Sequence, residues 1–276
     1  MNYRELLKDK KKIVVKIGSS SITHESTGNI NYNKLDRLVR VLCDIKNQGK
    51  DVVLVSSGAI AVGRQTVGIS KKSDLLAEKQ ACAAIGQCRL MMTYQKLFSE
   101  YNQTAAQVLL TKYTMLNEES LVNAKNTFEE LFNLGAIPVV NENDTVSTCE
   151  IEFGDNDKLS ALVSALIGAD LLILLSDIDG LFTDDPNKNK DAKFIELVPK
   201  INDELRAMGK NTSSNVGTGG MSAKIAAATI ATYSGADMVI ANSRDVNIIT
   251  EILEGKNIGT LFLANKSKNF NIAEFL

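Results

Sequence analysis

The feature that most constrains the fold is an uninterrupted apolar run, LLILL at Leu171–Leu175. A strand without polar side chains on either side must be covered on both faces of its sheet, usually by helices. Three similar short runs lie at Ile13–Ile17, Asp51–Val55 and Ala136–Val140, and stretches with helical periodicity separate them. This alternation predicts an α/β protein, a three-layer α/β/α sandwich with a mostly parallel central sheet.

The remaining elements follow the same patterns. Helical periodicity predicts helices over residues 35–45, 59–67, 75–98, 118–134, 159–166, 221–233 and 246–253. Further strands are predicted over residues 104–110, 196–199, 237–241 and 259–263, and residues 146–153 are compatible with a hairpin. No internal repeat or linker interrupts the sequence, so we expect a single domain over residues 1–276.

Composition and charge disfavour several classes of protein. The formal net charge is −2, which gives no reason to expect a nucleic-acid partner. No apolar stretch is long enough to span a membrane, and the charged start MNYRELLKDKKK is not a secretory signal. The four cysteines form no C-x-x-C pair, so we expect small core residues in a reducing cytoplasm. With His24 as the only histidine, Ser-His-Asp hydrolysis and His-rich zinc sites are disfavoured.

Small or polar residues follow four of the predicted strands, after Ile17, Val55, Val140 and Leu175. Ligands bind at the carboxyl ends of strands in open α/β sheets, so we expect these ends to form one large site. The richest stretch, residues 141–157, gathers amides and carboxylates where a strand ends and a helix begins. Turn chemistry also favours Asn, Asp and Gly, so a polar surface loop remains an alternative.

Two lysines accompany turns of small residues. In VGTGGMSAK, residues 216–224, glycines precede a predicted helix whose N–H groups and dipole favour an anion. Lys224 does not directly follow the last glycine, so this is not a Walker A loop. Lys16 lies inside a buried strand before Gly18, which is costly unless the lysine meets an anion. The alternatives are a surface loop with a solvated Lys224, and a Lys16 that extends its ammonium to the surface.

Together these features suit phosphoryl transfer, in which positioning and charge stabilisation provide most of the catalysis. Asp157, near the N-terminus of its helix, could hold both ammonium groups, which otherwise repel each other. It could instead be a simple charge at a helix N-terminus, which Asp155 could equally provide. Ser176 and Asp177 follow LLILL where a nucleotide base or ribose could lie, or they could form an ordinary strand-end turn.

Six motifs run in order over nearly the whole chain up to Phe262. They are VVKIGSS from Val14, VLVSSGAIAVGR from Val53, VNENDTV from Val140, FGDNDKLSALVSALIGAD from Phe153, LLSDIDGLFTDDP from Leu174 and GTGGMSAKIAAA from Gly217. By these motifs the sequence resembles the glutamate 5-kinases, a branch of the amino acid kinase family. GTGGM with its lysine occurs widely in the family, whereas the combination of SSGAIA, NEND and GDND is more specific to this branch.

The resemblance implies transfer of the γ-phosphate of ATP to the side-chain carboxylate of L-glutamate, which gives L-glutamyl 5-phosphate in the first step of proline biosynthesis. Lys16 and Lys224 match the lysines that stabilise the transferring phosphoryl group, and Asp157 matches the aspartate that organises them. The positions that match glutamate-binding residues are Ser57, Asp144 and Asn156. The positions that match ATP-binding segments are Lys16, Ser176, Asp177, Thr218, Gly219, Gly220, Met221, Ser222, Ala223 and Lys224.

The resemblance also implies partners. We expect L-glutamate and ATP as substrates, proline as a feedback inhibitor, and a homo-oligomer, either a dimer or a tetramer. No protein cage for Mg²⁺ is visible, so the ion is expected mainly on the ATP phosphates. Many relatives carry a C-terminal PUA domain, whereas this chain ends soon after its last kinase motif, so none is expected.

Two other interpretations stay open at this point. A sister kinase could act on acetylglutamate, aspartate, carbamate or a nucleoside monophosphate, although the NEND and GDND motifs argue against these acceptors. A non-catalytic sensor of amino acids or nucleotides could have the same fold. The presence of Lys16, Asp157 and Lys224 disfavours the sensor, because such a protein has no need for phosphoryl-stabilising groups.

Overall fold

The computed structural model describes residues 2–69, 75–146, 156–184, 189–210 and 220–276. The chain divides into two compact units. Unit 1 comprises Met1–Lys16 and Gly154–Phe275, and unit 2 comprises Ile17–Phe153 together with Leu276. Within the described ranges, no helix combines the length and the apolar character needed to cross a membrane.

Strands and helices alternate along the described residues, as the sequence predicts. The strands are β1 (Lys12–Ile17), β2 (Asp51–Ser56), β3 (Ala105–Leu110), β4 (Ile137–Glu142), β5 (Leu171–Ser176), β6 (Leu181–Phe182), β7 (Phe194–Ile195), β8 (Leu197–Val198), β9 (Asp237–Asn242) and β10 (Thr260–Phe262). The helices are α1 (Ser19–Ile22), α2 (Tyr32–Asn47), α3 (Ala59–Thr66), α4 (Leu76–Glu100), α5 (Lys112–Leu116), α6 (Glu118–Asn133), α7 (Asn156–Ile167), α8 (Asp203–Lys210), α9 (Met221–Ser234) and α10 (Ile248–Leu253). Two 3₁₀ helices, Glu5–Asp9 and Ile272–Phe275, lie near the ends of the chain.

In unit 1 the strands lie in the order β1-β5-β9-β10-β8, and β6 and β7 form a separate antiparallel pair. β5 and β9 run parallel, from Leu171 opposite Asp237 to Ser176 opposite Asn242. Every residue of β5 is buried, as the LLILL run predicts for a strand covered on both faces. Helix α7 packs on β5 and helix α9 packs on β9, and the two helices also contact each other.

In unit 2 the strands lie in the order β3-β4-β2, and both neighbouring pairs are parallel. Helices α2, α4 and α6 contact β2, β3 and β4 respectively. Because β2 and β4 are parallel, their ends at Ser56 and Glu142 lie at the same edge of the sheet. In both units the strands are mostly parallel and covered by helices, which confirms the predicted fold class.

Helices α3 and α4 cross at a point where their backbones lie too close together for a side chain on either helix. A Cβ atom on Gly63 would lie 1.7 Å from the carbonyl oxygen of Cys82, and a Cβ atom on Gly86 would lie 1.8 Å from the carbonyl oxygen of Ala59. The two backbones can approach this closely only because both positions are glycine. The contact places α4 beside the start of α3, which follows the strand end at Ser56 after only two residues.

Several features differ from the sequence predictions. β4 extends past Val140 into Asn141 and Glu142, which are buried despite being polar. Helices α5 and α8 have no predicted counterpart, because α5 has only five residues and α8 is short and largely polar. Cys88 is exposed on α4 instead of lying in the core, whereas Cys43 and Cys82 are buried as expected. The predicted hairpin lies outside the described residues, apart from its first residue.

Candidate active site

A carboxylate between two lysines is the central feature of unit 1. The Lys16 ammonium lies 2.5 Å from Oδ1 of Asp157. The Lys224 ammonium lies 3.2 Å from Oδ2 of the same side chain. Asp157 is fully buried, and Lys16 and Lys224 are only 7% and 6% exposed. The structure therefore brings together the three residues that the sequence predicts to act in phosphoryl transfer.

Three different elements supply these side chains. Lys16 is the fifth residue of β1, and the last five residues of this strand are all buried. Asp157 is the second residue of α7, and Lys224 is the fourth residue of α9. Each helix therefore contributes its functional group from its first turn, next to the backbone N–H groups that a helix N-terminus leaves without intrahelical partners.

Small buried side chains are common on both helices that carry the cluster. They include Ser160 and Ser164 of α7, and Ala227, Ala228 and Ala231 of α9. Small residues let helix backbones approach closely, which brings the N-terminal residues of α7 and α9 within the reach of one ion pair. The Ser160 hydroxyl also donates a hydrogen bond of 2.6 Å to the carbonyl oxygen of Asp157, which holds the first turn of α7.

The charges of the cluster do not cancel. Two ammonium groups and one carboxylate leave a net charge of +1 among Lys16, Asp157 and Lys224. Buried charge is costly unless opposite charge and hydrogen bonds offset it. Two buried ammonium groups on one carboxylate suit an anionic ligand such as a phosphoryl group.

The N-terminus of α9 offers a second feature suited to an anion. Gly220 precedes the helix in an extended conformation and accepts a hydrogen bond of 3.0 Å from the N–H of Ala223. The predicted nucleotide-binding positions Gly220, Met221, Ser222 and Ala223 occupy this helix start, where N–H groups and the helix dipole favour negative charge. Thr218 and Gly219 lie outside the described residues.

Ser176 and Asp177, the other predicted nucleotide-binding residues, lie at the end of β5. The Ser176 hydroxyl donates to Oδ1 of Asp177 at 2.9 Å. Asn242, opposite Ser176 at the end of β9, donates to the side chain of Asp179 at 2.6 Å and to the carbonyl oxygen of Asp177 at 3.4 Å. None of the motifs points to Asn242, and its only signal in the sequence is a polar residue directly after an apolar run.

The three positions predicted to bind glutamate lie at strand ends and a helix start. Ser57 directly follows β2, and Asn156 is the first residue of α7. Asp144 is half-buried in the turn after β4, where the Thr145 hydroxyl donates to the side chain of Asn143. Ser57 and Asp144 belong to unit 2, and Asn156 belongs to unit 1. Within the described residues, no group of three or more His, Cys, Asp or Glu side chains could hold a metal ion.

Sequence comparisons identify relatives over almost the whole chain. The sequence profile of the amino acid kinase family matches residues 11–242. The glutamate 5-kinase of Carboxydothermus hydrogenoformans is 52% identical over 267 residues, which cover 97% of this chain and 72% of that protein. The glutamate 5-kinase of Clostridium perfringens is 49% identical, over 96% of this chain and 100% of that protein.

Two solved structures share the architecture at low sequence identity. The UMP kinase of Bacillus anthracis matches with a TM-score of 0.62 and 15% identity, over 93% of this chain and 97% of that one. The isopentenyl phosphate kinase of T. acidophilum, solved as a product complex, matches with a TM-score of 0.61 and 17% identity, over 91% of this chain and 100% of that one. These two likenesses concern the fold alone.

Fold, cluster and family profile together define a kinase of the α/β class. The chain belongs to the amino acid kinase family and, within it, to the glutamate 5-kinases.

Proposed function

We propose that the chain transfers the γ-phosphoryl group of ATP to the side-chain carboxylate of L-glutamate. The formation of this product, L-glutamyl 5-phosphate, is the first step of proline biosynthesis. The observation that carries the proposal is the buried cluster in which Asp157 lies between Lys16 and Lys224. Its net positive charge suits a transferring phosphoryl group, and the 52% and 49% identity to two glutamate 5-kinases supports glutamate as the acceptor.

The acceptor needs no general base. A glutamate side chain has an unperturbed pKa of roughly 4.3, so its carboxylate is already ionised at neutral pH. One carboxylate oxygen attacks the γ-phosphorus, the bond to the bridging oxygen breaks, and ADP leaves with the electron pair. The main barrier is repulsion between the anionic acceptor and the anionic triphosphate, which Lys16, Lys224 and the N-terminus of α9 offset.

Asp157 acts through the lysines in this proposal. It holds two ammonium groups at 2.5 Å and 3.2 Å from one carboxylate, which offsets their mutual repulsion. Ser176 and Asp177, with Gly220–Ala223, bind the nucleotide. Mg²⁺ would be carried mainly on the ATP phosphates and by water, where it neutralises phosphate charge.

Ser57, Asp144 and Asn156 bind L-glutamate in this proposal, and Asp144 selects the free amino acid. Its half-buried carboxylate suits the α-ammonium group of glutamate. N-acetylglutamate would offer a neutral amide instead and could not form this ion pair. Discrimination that rests on such a loss can reach about 10⁴-fold.

A coupled ATPase assay with a panel of acidic amino acids tests this function. The panel is L-glutamate, L-aspartate and their N-acetyl derivatives. We expect ADP release with L-glutamate, and a kcat/KM for N-acetyl-L-glutamate lower by at least about 10²-fold. Turnover that prefers another acidic acceptor would contradict the assignment of the substrate, and the absence of turnover with the whole panel would contradict the assignment of the reaction.

Proline is proposed as a feedback inhibitor that competes with glutamate. Proline shares the α-carboxylate of glutamate and carries a cationic α-nitrogen, so the same polar groups could hold both molecules. Glutamate titrations at several fixed proline concentrations test this proposal. Inhibition that saturating glutamate does not relieve would indicate a separate site, and no inhibition would remove the hypothesis.

A homo-oligomer is proposed through one face of α4. Ile85, Cys88 and Met92 are exposed there, with Ile85 40% and Met92 66% accessible, and their spacing of three and four residues places them on one stripe. A contiguous apolar stripe on a long helix suits an isologous contact with a second copy. We expect Met92→Glu to reduce the molar mass measured by light scattering, whereas an unchanged mass would place the contact elsewhere.

We also propose that the chain forms a single amino acid kinase domain and is located in the cytoplasm. The described cysteines, Cys43, Cys82 and Cys88, are all free thiols, which suits a reducing compartment.

A further inference from the structure

Helix α4 reaches the end of strand β2 through a buried tyrosine. The Tyr94 hydroxyl lies 2.8 Å from the Ser56 hydroxyl, and the two residues are 0% and 1% exposed. The Ser56 hydroxyl also donates to the carbonyl oxygen of Ser57 at 3.1 Å. When the single Ser56 hydroxyl proton is donated to Ser57, Tyr94 is the donor in its bond with Ser56. A directed chain of hydrogen bonds therefore runs from Tyr94 through Ser56 to the backbone of Ser57.

The tyrosine keeps its proton under working conditions. Burial raises the pKa of Tyr94, and the hydrogen bond with Ser56 lowers it by less. The phenol therefore remains a donor at neutral pH, and the direction of the hydrogen-bond chain does not change.

The same helix reaches the end of strand β4 through a buried amide. Asn141 donates from Nδ2 to Oε1 of Gln87 at 3.0 Å, and the two residues are 4% and 8% exposed. Asn141 opens the polar run that leads through Glu142 and Asn143 to Asp144. A buried amide is costly unless it is hydrogen-bonded, so the bond with Gln87 offsets part of the cost of continuing β4 past its apolar residues.

The two contacts act on adjacent positions of the sheet. Val55 of β2 pairs with Val140 of β4 in parallel register, so the next residues, Ser56 and Asn141, lie at the same level. Gln87 and Tyr94 are seven residues apart, two turns along one face of α4. The close crossing at Gly86, directly before Gln87, fixes this face of the helix against the start of α3.

We propose that Gln87 and Tyr94 are positioning residues that set the geometry of the glutamate site. Tyr94 fixes the backbone that carries Ser57, and Gln87 fixes the strand end that leads to Asp144. Neither side chain needs to touch the substrate. This inference rests on the proposed function, since it concerns the binding of the same acceptor.

Steady-state kinetics of Tyr94→Phe and Gln87→Met test the inference. Both substitutions conserve volume and remove one buried hydrogen bond each. For Tyr94→Phe we expect the KM for L-glutamate to rise by about 3- to 10-fold, the factor for one net hydrogen bond, with the KM for ATP unchanged. Gln87→Met should raise the KM for L-glutamate by a similar factor, because the end of β4 loses the hydrogen bond between Asn141 and Gln87.

Tyr101→Phe is the matched control. Tyr101 caps the C-terminal end of α4, and its hydroxyl donates to Asp36 of α2 at 3.3 Å instead of to a strand end. This variant should lose a hydrogen bond without any change in either KM. Melting temperatures of all three variants, measured in parallel, separate a loss of stability from a loss of glutamate affinity.

The outcomes distinguish the two proposals. If the unmodified chain turns over L-glutamate but Tyr94→Phe and Gln87→Met keep its KM, the two residues are only structural and this inference is wrong. Equal rises in both KM values would also overturn it, because the effect would not be confined to the acceptor. If the unmodified chain turns over no acidic amino acid, the proposed function fails and this inference fails with it.

Discussion

Unit 1 holds its candidate functional groups through charge, whereas unit 2 holds its own through neutral hydrogen bonds. In unit 1, the ammonium groups of Lys16 and Lys224 meet on the buried carboxylate of Asp157. In unit 2, the buried pairs that brace the strand ends are Tyr94 with Ser56 and Gln87 with Asn141. The difference corresponds to two chemical tasks. Phosphoryl transfer needs positively charged groups where negative charge develops in the transition state. An acceptor carboxylate that is already ionised needs only to be positioned for attack.

The two arrangements should respond differently to substitution. Removal of one partner from a buried ion pair leaves the other charge uncompensated, which typically costs about 3–5 kcal/mol. Removal of one neutral hydrogen bond typically costs about 1 kcal/mol. Single polar substitutions are therefore expected to have larger effects in unit 1 than in unit 2.

The largest effect is expected for Asp157→Asn. The substitution leaves two ammonium groups facing a neutral amide in a buried site, so the free energy of unfolding should fall by about 3–5 kcal/mol. Urea denaturation measures this change. Tyr94→Phe, the corresponding loss of a polar contact in unit 2, should cost about 1 kcal/mol in the same measurement. Similar losses for the two variants would remove the distinction between a charged and a neutral site.

Lys16→Ala should reduce catalysis more than stability. Asp157 keeps its contact with Lys224, so the pair that remains is neutral overall and the fold should persist. The kcat should fall by about 10²- to 10³-fold, the usual loss for one preorganised charge-stabilising group. Lys10→Ala is the matched control, because Lys10 forms an ion pair of 2.7 Å with Asp237 in the same unit. Turnover by Lys16→Ala as fast as by Lys10→Ala would contradict the role of Lys16.

The sequence predicts elements with a continuous apolar pattern better than elements held by polar contacts. The LLILL run correctly predicts β5, because a strand that is buried along its whole length has apolar residues at nearly every position. The end of β4 is missed because Asn141 and Glu142 are polar, and a hydrogen-bond partner of the buried Asn141, Gln87, lies 54 positions away. Such long-range compensation leaves no local pattern in the sequence.

The candidate site shows the same limit. Lys16, Asp157 and Lys224 can be predicted because each sits in a recognisable motif, and the structure brings them together. Gln87 and Tyr94 lie in the middle of a long amphipathic helix, where any residue on the buried face fits the pattern equally well. Only the packing of α4 on the strand ends distinguishes them from ordinary core residues.

Asp144→Asn tests whether unit 2 contains one functional charge. If the carboxylate binds the α-ammonium group of glutamate, the KM for L-glutamate should rise by about 10- to 100-fold, the usual value of a hydrogen bond to a charged group. The KM for ATP and the melting temperature should change little, because an amide still accepts hydrogen bonds from the turn. A loss of stability with an unchanged KM would instead make Asp144 structural and leave glutamate binding to Ser57 and Asn156.

The smallest effect is expected for Arg4→Lys, which tests whether buried polar contacts of unit 1 outside the cluster serve the reaction. Arg4 is 7% exposed and donates to the carbonyl oxygens of Ile258, Gly259 and Glu196 at 2.6, 2.7 and 3.0 Å. These contacts tie the N-terminal segment to the strands β8 and β10. Lysine keeps the charge, but its ammonium group cannot reproduce the planar arrangement of N–H donors in a guanidinium group. At least one hydrogen bond should therefore be lost.

That loss should lower the free energy of unfolding by about 1 kcal/mol, which corresponds to about 2–4 °C in melting temperature for a chain of this size. The kcat and both KM values should stay at the levels of the unmodified chain, because Arg4 binds backbone carbonyl groups and none of the residues of the cluster. A fall in kcat comparable to that of Lys16→Ala would mean that buried hydrogen bonds elsewhere in unit 1 also affect the transfer. The functional groups of unit 1 would then not be confined to Lys16, Asp157 and Lys224.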